Sequence, residues 1–169
     1  MFPRYLTARG RWVAAVAGSS LPLSFAPYAH WWLAPPLLAL LFLLVEGESV
    51  RERTLRGFWF GAGTFTTGTY WLYFSIHDIG NVLAPIAIAL CGALILLMAL
   101  YVAAWGLLTS LIGRGAVRWQ LLAVLPATWV LVEWIRSWLF SGFPWLSLGY
   151  GKLDGPLAAW APVAGVHGV

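Results

Sequence analysis

The sequence predicts an all-α membrane protein, a polytopic helical bundle, and three observations predict it. Hydrophobic residues make up 61% of the chain, and the mean hydropathy is +0.81. Charged residues make up only 9%, against about 25% in an ordinary soluble domain. The charges gather mainly between apolar runs, and a run of about 20 apolar residues suffices for a helix to cross a bilayer. The 169 residues therefore hold five complete spans and the beginning of a sixth, near 12–25, 33–45, 57–75, 85–108 and 121–140 and from about 157. They leave no room for a separate soluble domain.

The formal charge of +4 does not point to nucleic acid, because the ten Lys and Arg residues are scattered among the loops, without the clustered stripe that such binding uses. Positive charge in a chain of this kind sets topology instead. Cys91 is the single cysteine, which excludes an internal disulfide and a cysteine-cluster metal site.

Arg4, Arg9 and Arg11 precede the first apolar run, a pattern shared with signal peptides. No small-residue cleavage site leads into a soluble mature domain, so the run reads as a short first helix. Its exit, 27–32, carries a tyrosine and two tryptophans, as membrane interfaces do. The second run is free of charge, and Pro35 and Pro36 suit its first turn, where amide hydrogens have no partner in the helix. A charged loop at 46–56 follows. The third run has Gly57 and Gly61 in GxxxG spacing with Gly68 on a nearby face, which favours close helix packing over a ligand groove.

The loop at 76–81 has His77 and Asp78 but no Lys or Arg. It reads as a plain polar loop, since no serine or cysteine nucleophile is matched to that pair. Cys91 lies near the start of the fourth run among apolar neighbours, where a thiol stays inert. Arg114 and Arg118 precede the fifth run, which Pro126 is expected to bend. Arginine-bearing loops thus alternate with loops that lack arginine. The positive-inside rule places the N-terminus and the loops at 46–56 and 113–118 in the cytoplasm. Residues 157–169 supply only about 20 Å of helix against a bilayer core of about 30 Å, so the chain is expected to be a fragment.

The stretch from Glu133 to Pro156 is the candidate site. Glu133 and Arg136 share a helix face and can pair. Charges within membranes face a protein interior or a wet cavity, so the pair either locks the fifth helix to its neighbours or borders a substrate cavity. Gly142, Phe143, Pro144 and Trp145 form a turn with a large amphipathic ring, suited to the level where acyl chains meet head groups. His30 and His167 show no partner pattern, no metal-ligand spacing occurs, and no cofactor is expected.

These residues resemble the N-terminal membrane part of bacterial apolipoprotein N-acyltransferases. The resemblance rests on Phe25, Ala26, Pro27 and Tyr28, on the block GTYWLYFSIHD at 68–78, and on EWIRSW followed by SGFPWLSLGYGKLDGPLAAWAPVAGVHGV from Glu133 onward. It implies an inner-membrane enzyme of eight spans carrying a nitrilase-like domain on the periplasmic side. Such an enzyme takes an acyl chain from a phospholipid, holds it as a thioester on a cysteine and passes it to the amino group of a diacylated apolipoprotein. The Glu, Lys and Cys of its triad belong to the nitrilase-like domain; Cys91 and Lys152 match no catalytic motif, so these residues are expected to be inactive by themselves. Carried over by the resemblance, Glu133, Arg136, Gly142, Phe143, Pro144, Trp145 and Tyr150 would shape a lipid-access cavity beneath the catalytic domain. A different class, a small complete membrane scaffold, transporter subunit or lipid-binding protein, is the alternative. A transporter would show paired broken helices around polar residues at the midplane.

Overall fold

The computed structural model describes residues 4–112, 116–152 and 155–168, all in helices, turns and loops, with no strand among the described residues. Arg114, expected in an arginine-bearing loop, lies outside them, as do Leu153, Asp154 and Val169. Eight α-helices are described: α1 Arg4–Ser20, α2 Ala34–Val45, α3 Val50–Gly68, α4 Trp71–Phe74, α5 Ala84–Ile112, α6 Val117–Trp119, α7 Leu125–Arg136 and α8 Ala161–Gly168. Helix α5 alone among the described residues is long and apolar enough to cross a membrane by length and composition; Trp31–Val45 is a shorter apolar helical stretch.

Helix α3 is the axis of the bundle, flanked by α1 and α5. Arg11 pairs with Glu52 at one end of the α1–α3 contact, and the Thr67 hydroxyl donates to the Ser19 carbonyl at the other, 3.0 Å away, so the two helices run parallel. Thr64 Oγ1 likewise donates to the Gly18 carbonyl at 3.1 Å. Both threonines thereby supply donors to carbonyls in the last turn of α1, which have no partner within their own helix. Helix α5 runs the other way, because Gly57 faces Val102 while Arg53 faces Gly106. The GxxxG pair does pack helices: a Cβ on Gly61 would stand 2.9 Å from Val102 Cγ2 and 3.0 Å from Ala99 Cα, so only glycine allows this approach. An aromatic cluster ties in the remaining helices. Trp105, fully buried, lies 5.6 Å from Phe42 of α2 and 5.4 Å from Trp129 of α7 between ring centroids, and donates its indole N–H to the Leu125 carbonyl at 3.1 Å.

The charged loop expected at 46–56 is mostly helix. Ser49 caps α3 by accepting from the Glu52 amide at 3.4 Å, and the Ser-x-x-Glu spacing marks a helix start. Arg51, Glu52, Arg53 and Arg56 therefore stand on the first turns of α3, and the last three are buried. Burial is tolerable because they are paired. Arg11 makes a two-pronged contact with Glu52, Arg56 meets Glu48 at 2.8 Å, and Arg53 donates to the Glu48 carbonyl at 3.1 Å. The hydrogen bonds from Arg11 hold the Glu52 carboxyl below the usual carboxylate range despite its burial.

Other expected boundaries move: the first helix is Arg4–Ser20 instead of 12–25, and the fourth runs on to Ile112 instead of 108. The helix expected to continue to 75 ends at Gly68, and the polar loop holding His77 and Asp78 is a wide helical turn, Ser75–Ile79. The fifth helix opens with α6 and a second wide turn, Gln120–Val124, ahead of Pro126; proline, lacking an amide hydrogen, disturbs the regular ladder there. It ends at Arg136 instead of near 140, so Glu133 and Arg136 occupy its last turn. Past Pro156 the chain makes a 3-10 turn, Pro156–Trp160, before α8, whose Gly165 breaks helical geometry with φ +66°.

Candidate functional site

Where α7 ends, Arg136 organises the following loop. Its guanidinium donates to the carbonyls of Phe143 at 2.8 Å and Trp145 at 2.7 Å and to Ser147 Oγ at 3.0 Å, while its own carbonyl accepts from the Phe143 amide at 3.1 Å. Glu133 Oε1 lies 3.7 Å from Arg136 Nη2 and accepts from the Leu148 amide at 3.1 Å. Arginine suits this task because its planar fork offers five donors in fixed directions. The guanidinium also sits 5.3 Å from the ring centroid of Phe65 on α3, a cation–π distance. Both charged residues are buried, and the pair is a bracket that folds residues 143–148 back over the helix end.

The bracketed loop is bent at two left-handed positions, Gly142 at φ +74° and Leu146 at φ +59°. Gly142 takes its conformation without strain because it has no Cβ. Leu146 is held by burial against the core, and its side chain fills the space beside Gly68. Further along, Lys152 Nζ donates to the Trp31 carbonyl at 2.7 Å, which ties the loop to the segment after α1. Burial pushes the Lys152 amine below its usual range.

Two cavities border this loop. The smaller, about 30 Å³, is interior and lined in part by Thr64, Tyr101, Trp129, Glu133 and Arg136. The Tyr101 hydroxyl and the Trp129 indole N–H are buried with no hydrogen-bond partner among the described residues. The larger, about 530 Å³, opens at the surface and falls within the ~300–1,000 Å³ range of small-molecule sites. Its walls are Pro22, Phe25, Ala26, Pro27 and Tyr28 after α1, Thr67, Gly68, Tyr70 and Trp71 around the end of α3, and Pro144, Trp145, Leu146 and Tyr150 from the loop. Trp71 and Trp145 touch in its wall, their ring centroids 5.2 Å apart. This lining is aromatic and almost wholly uncharged, so it suits an apolar chain that leads to a polar end at the rim.

The seven residues singled out from the sequence divide accordingly. Pro144, Trp145 and Tyr150 line the large cavity, Glu133 and Arg136 line the small one, and Gly142 and Phe143 line neither. Phe143 packs against the core and presents its carbonyl to Arg136. Sequence reasoning missed Tyr28, Thr67, Tyr70 and Trp71 as cavity residues. Phe25 to Tyr28 and the GTYW block carried the signal, but nothing in the spacing says that stretches about 40 and 120 residues apart meet. Among the described residues there is no cluster of three His, Cys, Asp or Glu that could hold a metal ion.

Fold and cavity together define an all-helical bundle that gathers its aromatic loops around an apolar chamber at one end. A family model described as the apolipoprotein N-acyltransferase N-terminal domain matches residues 17–169, and the chain belongs to that family. It is 43% identical over 161 residues to the apolipoprotein N-acyltransferase of Photobacterium profundum, covering 95% of this chain and 31% of the relative. To the enzyme of the same name from Vibrio vulnificus it is 39% identical over 91% of this chain and 30% of the relative. For that of Methylococcus capsulatus the figures are 40%, 93% and 31%. The chain therefore spans about a third of the length of the curated relatives it matches.

Proposed function

We propose that these residues are the membrane-embedded N-terminal part of an enzyme that moves an acyl chain from a phospholipid to a diacylated apolipoprotein. The 530 Å³ chamber is where the acyl chain of one of these lipids enters. The observation that carries the reading is convergence. Three stretches far apart in sequence, Phe25 to Tyr28, Gly68 to Trp71 and Pro144 to Tyr150, contribute aromatic and apolar side chains to one opening. The family membership supplies the reaction class, since the relatives are named for N-acyl transfer to apolipoproteins.

In this reading the chain crosses the bacterial inner membrane several times, with five complete spans and the start of a sixth, and the N-terminus is cytoplasmic. The arginines of α1 and of the first turns of α3 support a cytoplasmic assignment of that end, since excess positive charge favours that side in membrane proteins. The chamber then lies at the opposite end, facing the periplasm. Glu133 and Arg136 hold the loop that carries Pro144, Trp145 and Tyr150, and so act on the lipid through the loop. The triad of the family belongs to a further domain, and residues 1–169 alone do not catalyse the transfer.

The test uses a phospholipid with a photoreactive group near the end of its acyl chain, incorporated into nanodiscs with the chain. Adducts on peptides spanning 25–28, 67–71 and 144–150 are expected. Adducts confined to the outer face of α5 would refute the chamber. Transfer of acyl groups to a diacylated lipopeptide by the 169-residue chain would refute the claim that it is inactive alone.

A further inference from the structure

A third cavity lies at the other end of the bundle, far from the chamber. It measures about 140 Å³ and is lined by Ala8, Arg11 and Trp12 of α1 and Trp59 of α3. The two indoles stack with centroids 6.3 Å apart, and Trp12 is 70% exposed. Core packing does not account for rings this exposed. Arg11 commits Nε and one terminal nitrogen to Glu52, while its other terminal nitrogen has no partner among the described residues, and the side chain remains 28% exposed.

The charge around this groove is unbalanced. Helices α1 and α3 and the turn before α3 carry Arg4, Arg9, Arg11, Arg51, Arg53 and Arg56 against Glu46, Glu48 and Glu52, an excess of three positive charges. The carboxylates of Glu48 and Glu52 are already taken up by Arg56 and Arg11, and Arg9 and Arg51 stand exposed beside the groove's helices. A groove with an aromatic wall, an arginine at its mouth and surplus positive charge is complementary to a phosphate that carries apolar chains. Arginine binds phosphate oxygens in a fork, and tryptophan favours the level where glycerol meets acyl chain.

We propose that this groove is a binding site for an anionic phospholipid of the arginine-side leaflet, with its phosphate at Arg11 and its glycerol and upper acyl carbons along Trp12 and Trp59. The site is separate from the acyl chamber and holds its lipid as a fixed component of the bundle. It braces α1 against α3 at the end where the two helices carry their buried ion pairs. The proposal rests on the membrane reading given above.

The chain, purified in detergent, is mixed with equal amounts of phosphatidylglycerol and phosphatidylethanolamine, and retained lipids are counted by native mass spectrometry. The expected result is preferential retention of phosphatidylglycerol. Retention of both lipids falls in W12L/W59L, which loses the ring contacts to the glycerol and acyl carbons that the two lipids share. The preference for phosphatidylglycerol falls roughly fivefold in R11Q/E52Q, the scale of one basic residue's attraction to an anionic lipid, and this double variant leaves no stranded carboxylate at Glu52; W160L, at an exposed ring elsewhere, keeps both retention and preference. Helical circular dichroism confirms that W12L/W59L is folded, since it alters exposed rings. Equal retention of both lipids by the unmodified chain, or unchanged total retention in folded W12L/W59L, overturns the site. Release of the chain from membranes by alkaline carbonate overturns the membrane reading and this site with it; a chain that stays inserted but shows no lipid preference overturns the site alone.

Discussion

Replacing Arg136 by methionine tests the claim that one buried cation folds the loop over the end of α7. The side chain makes three hydrogen bonds to the loop, at 2.7, 2.8 and 3.0 Å, and hydrogen bonds to charged groups contribute about 1.5–3 kcal/mol each when measured singly. They are not additive, because losing one loosens the others. The change also strands Glu133, which keeps the Leu148 amide 3.1 Å away but no charged partner, and removing one partner of a buried pair costs about 3–5 kcal/mol. That range is the expected destabilisation of the loop, whose opening exposes Trp145 and Leu146. The assay is limited proteolysis of residues 142–150 in detergent, run beside thermal unfolding followed by circular dichroism. R136M should be cut there far faster than the parent chain. E133Q/R136M should recover part of the loss, since the stranded carboxylate is gone. If R136M is cut and unfolds like the parent, the bracket is not what holds the loop.

Two further outcomes follow from the packing of α3. G61L places a side chain where a Cβ already stands 2.9 Å from Val102, and overpacking of this kind costs about 1–3 kcal/mol; G92A, with nothing within 4 Å of its Cβ, should gain up to about 1 kcal/mol from helix propensity. Thermal melts of the two variants should shift in opposite directions, and an unchanged or raised melt in G61L would contradict the assignment of Gly61 to the α3–α5 contact. The depressed Glu52 carboxyl contributes stability that is complete above its unfolded range and is lost as pH falls through its lower folded value. Melting temperature should therefore fall as the medium is acidified from about pH 5 towards pH 3, and E52Q should flatten that fall; an equally steep acid limb in E52Q would assign it to other carboxylates.

Much of this fold can be read from the sequence because it depends on local composition. Apolar runs make helices wherever they occur, and Gly57 and Gly61 announce a close contact by spacing alone. The turns at 46–56 are harder, because a cluster of charges looks like a loop until the Ser49-x-x-Glu52 spacing is weighed against it. Burying Arg53 and Arg56 needs partners from the α2–α3 loop and from Gln120, and such long-range pairing leaves no local mark. The apolar pattern of Trp138 to Phe140 predicts an exit of α7 about a turn later than Arg136, where the helix ends, while Arg136 draws the Phe143 amide back onto its own carbonyl.

The candidate site divides along the same line. Trp145 and Tyr150 stand out as large amphipathic rings in a glycine-rich loop, and Glu133 and Arg136 stand out as charges in an apolar helix. Their relation to each other does not, because it is carried by backbone. Arg136 grips carbonyls, which every residue possesses, so the sequence of 143–148 gives no sign of being gripped. The consequence is that the chamber's wall is held by two groups that do not face it. On the proposed function, a change at Glu133 or Arg136 should then alter lipid photolabelling of the chamber by moving Trp145 relative to Trp71, 5.2 Å away, whereas a change at Tyr28 or Tyr150 should act by contact alone and leave the loop in place.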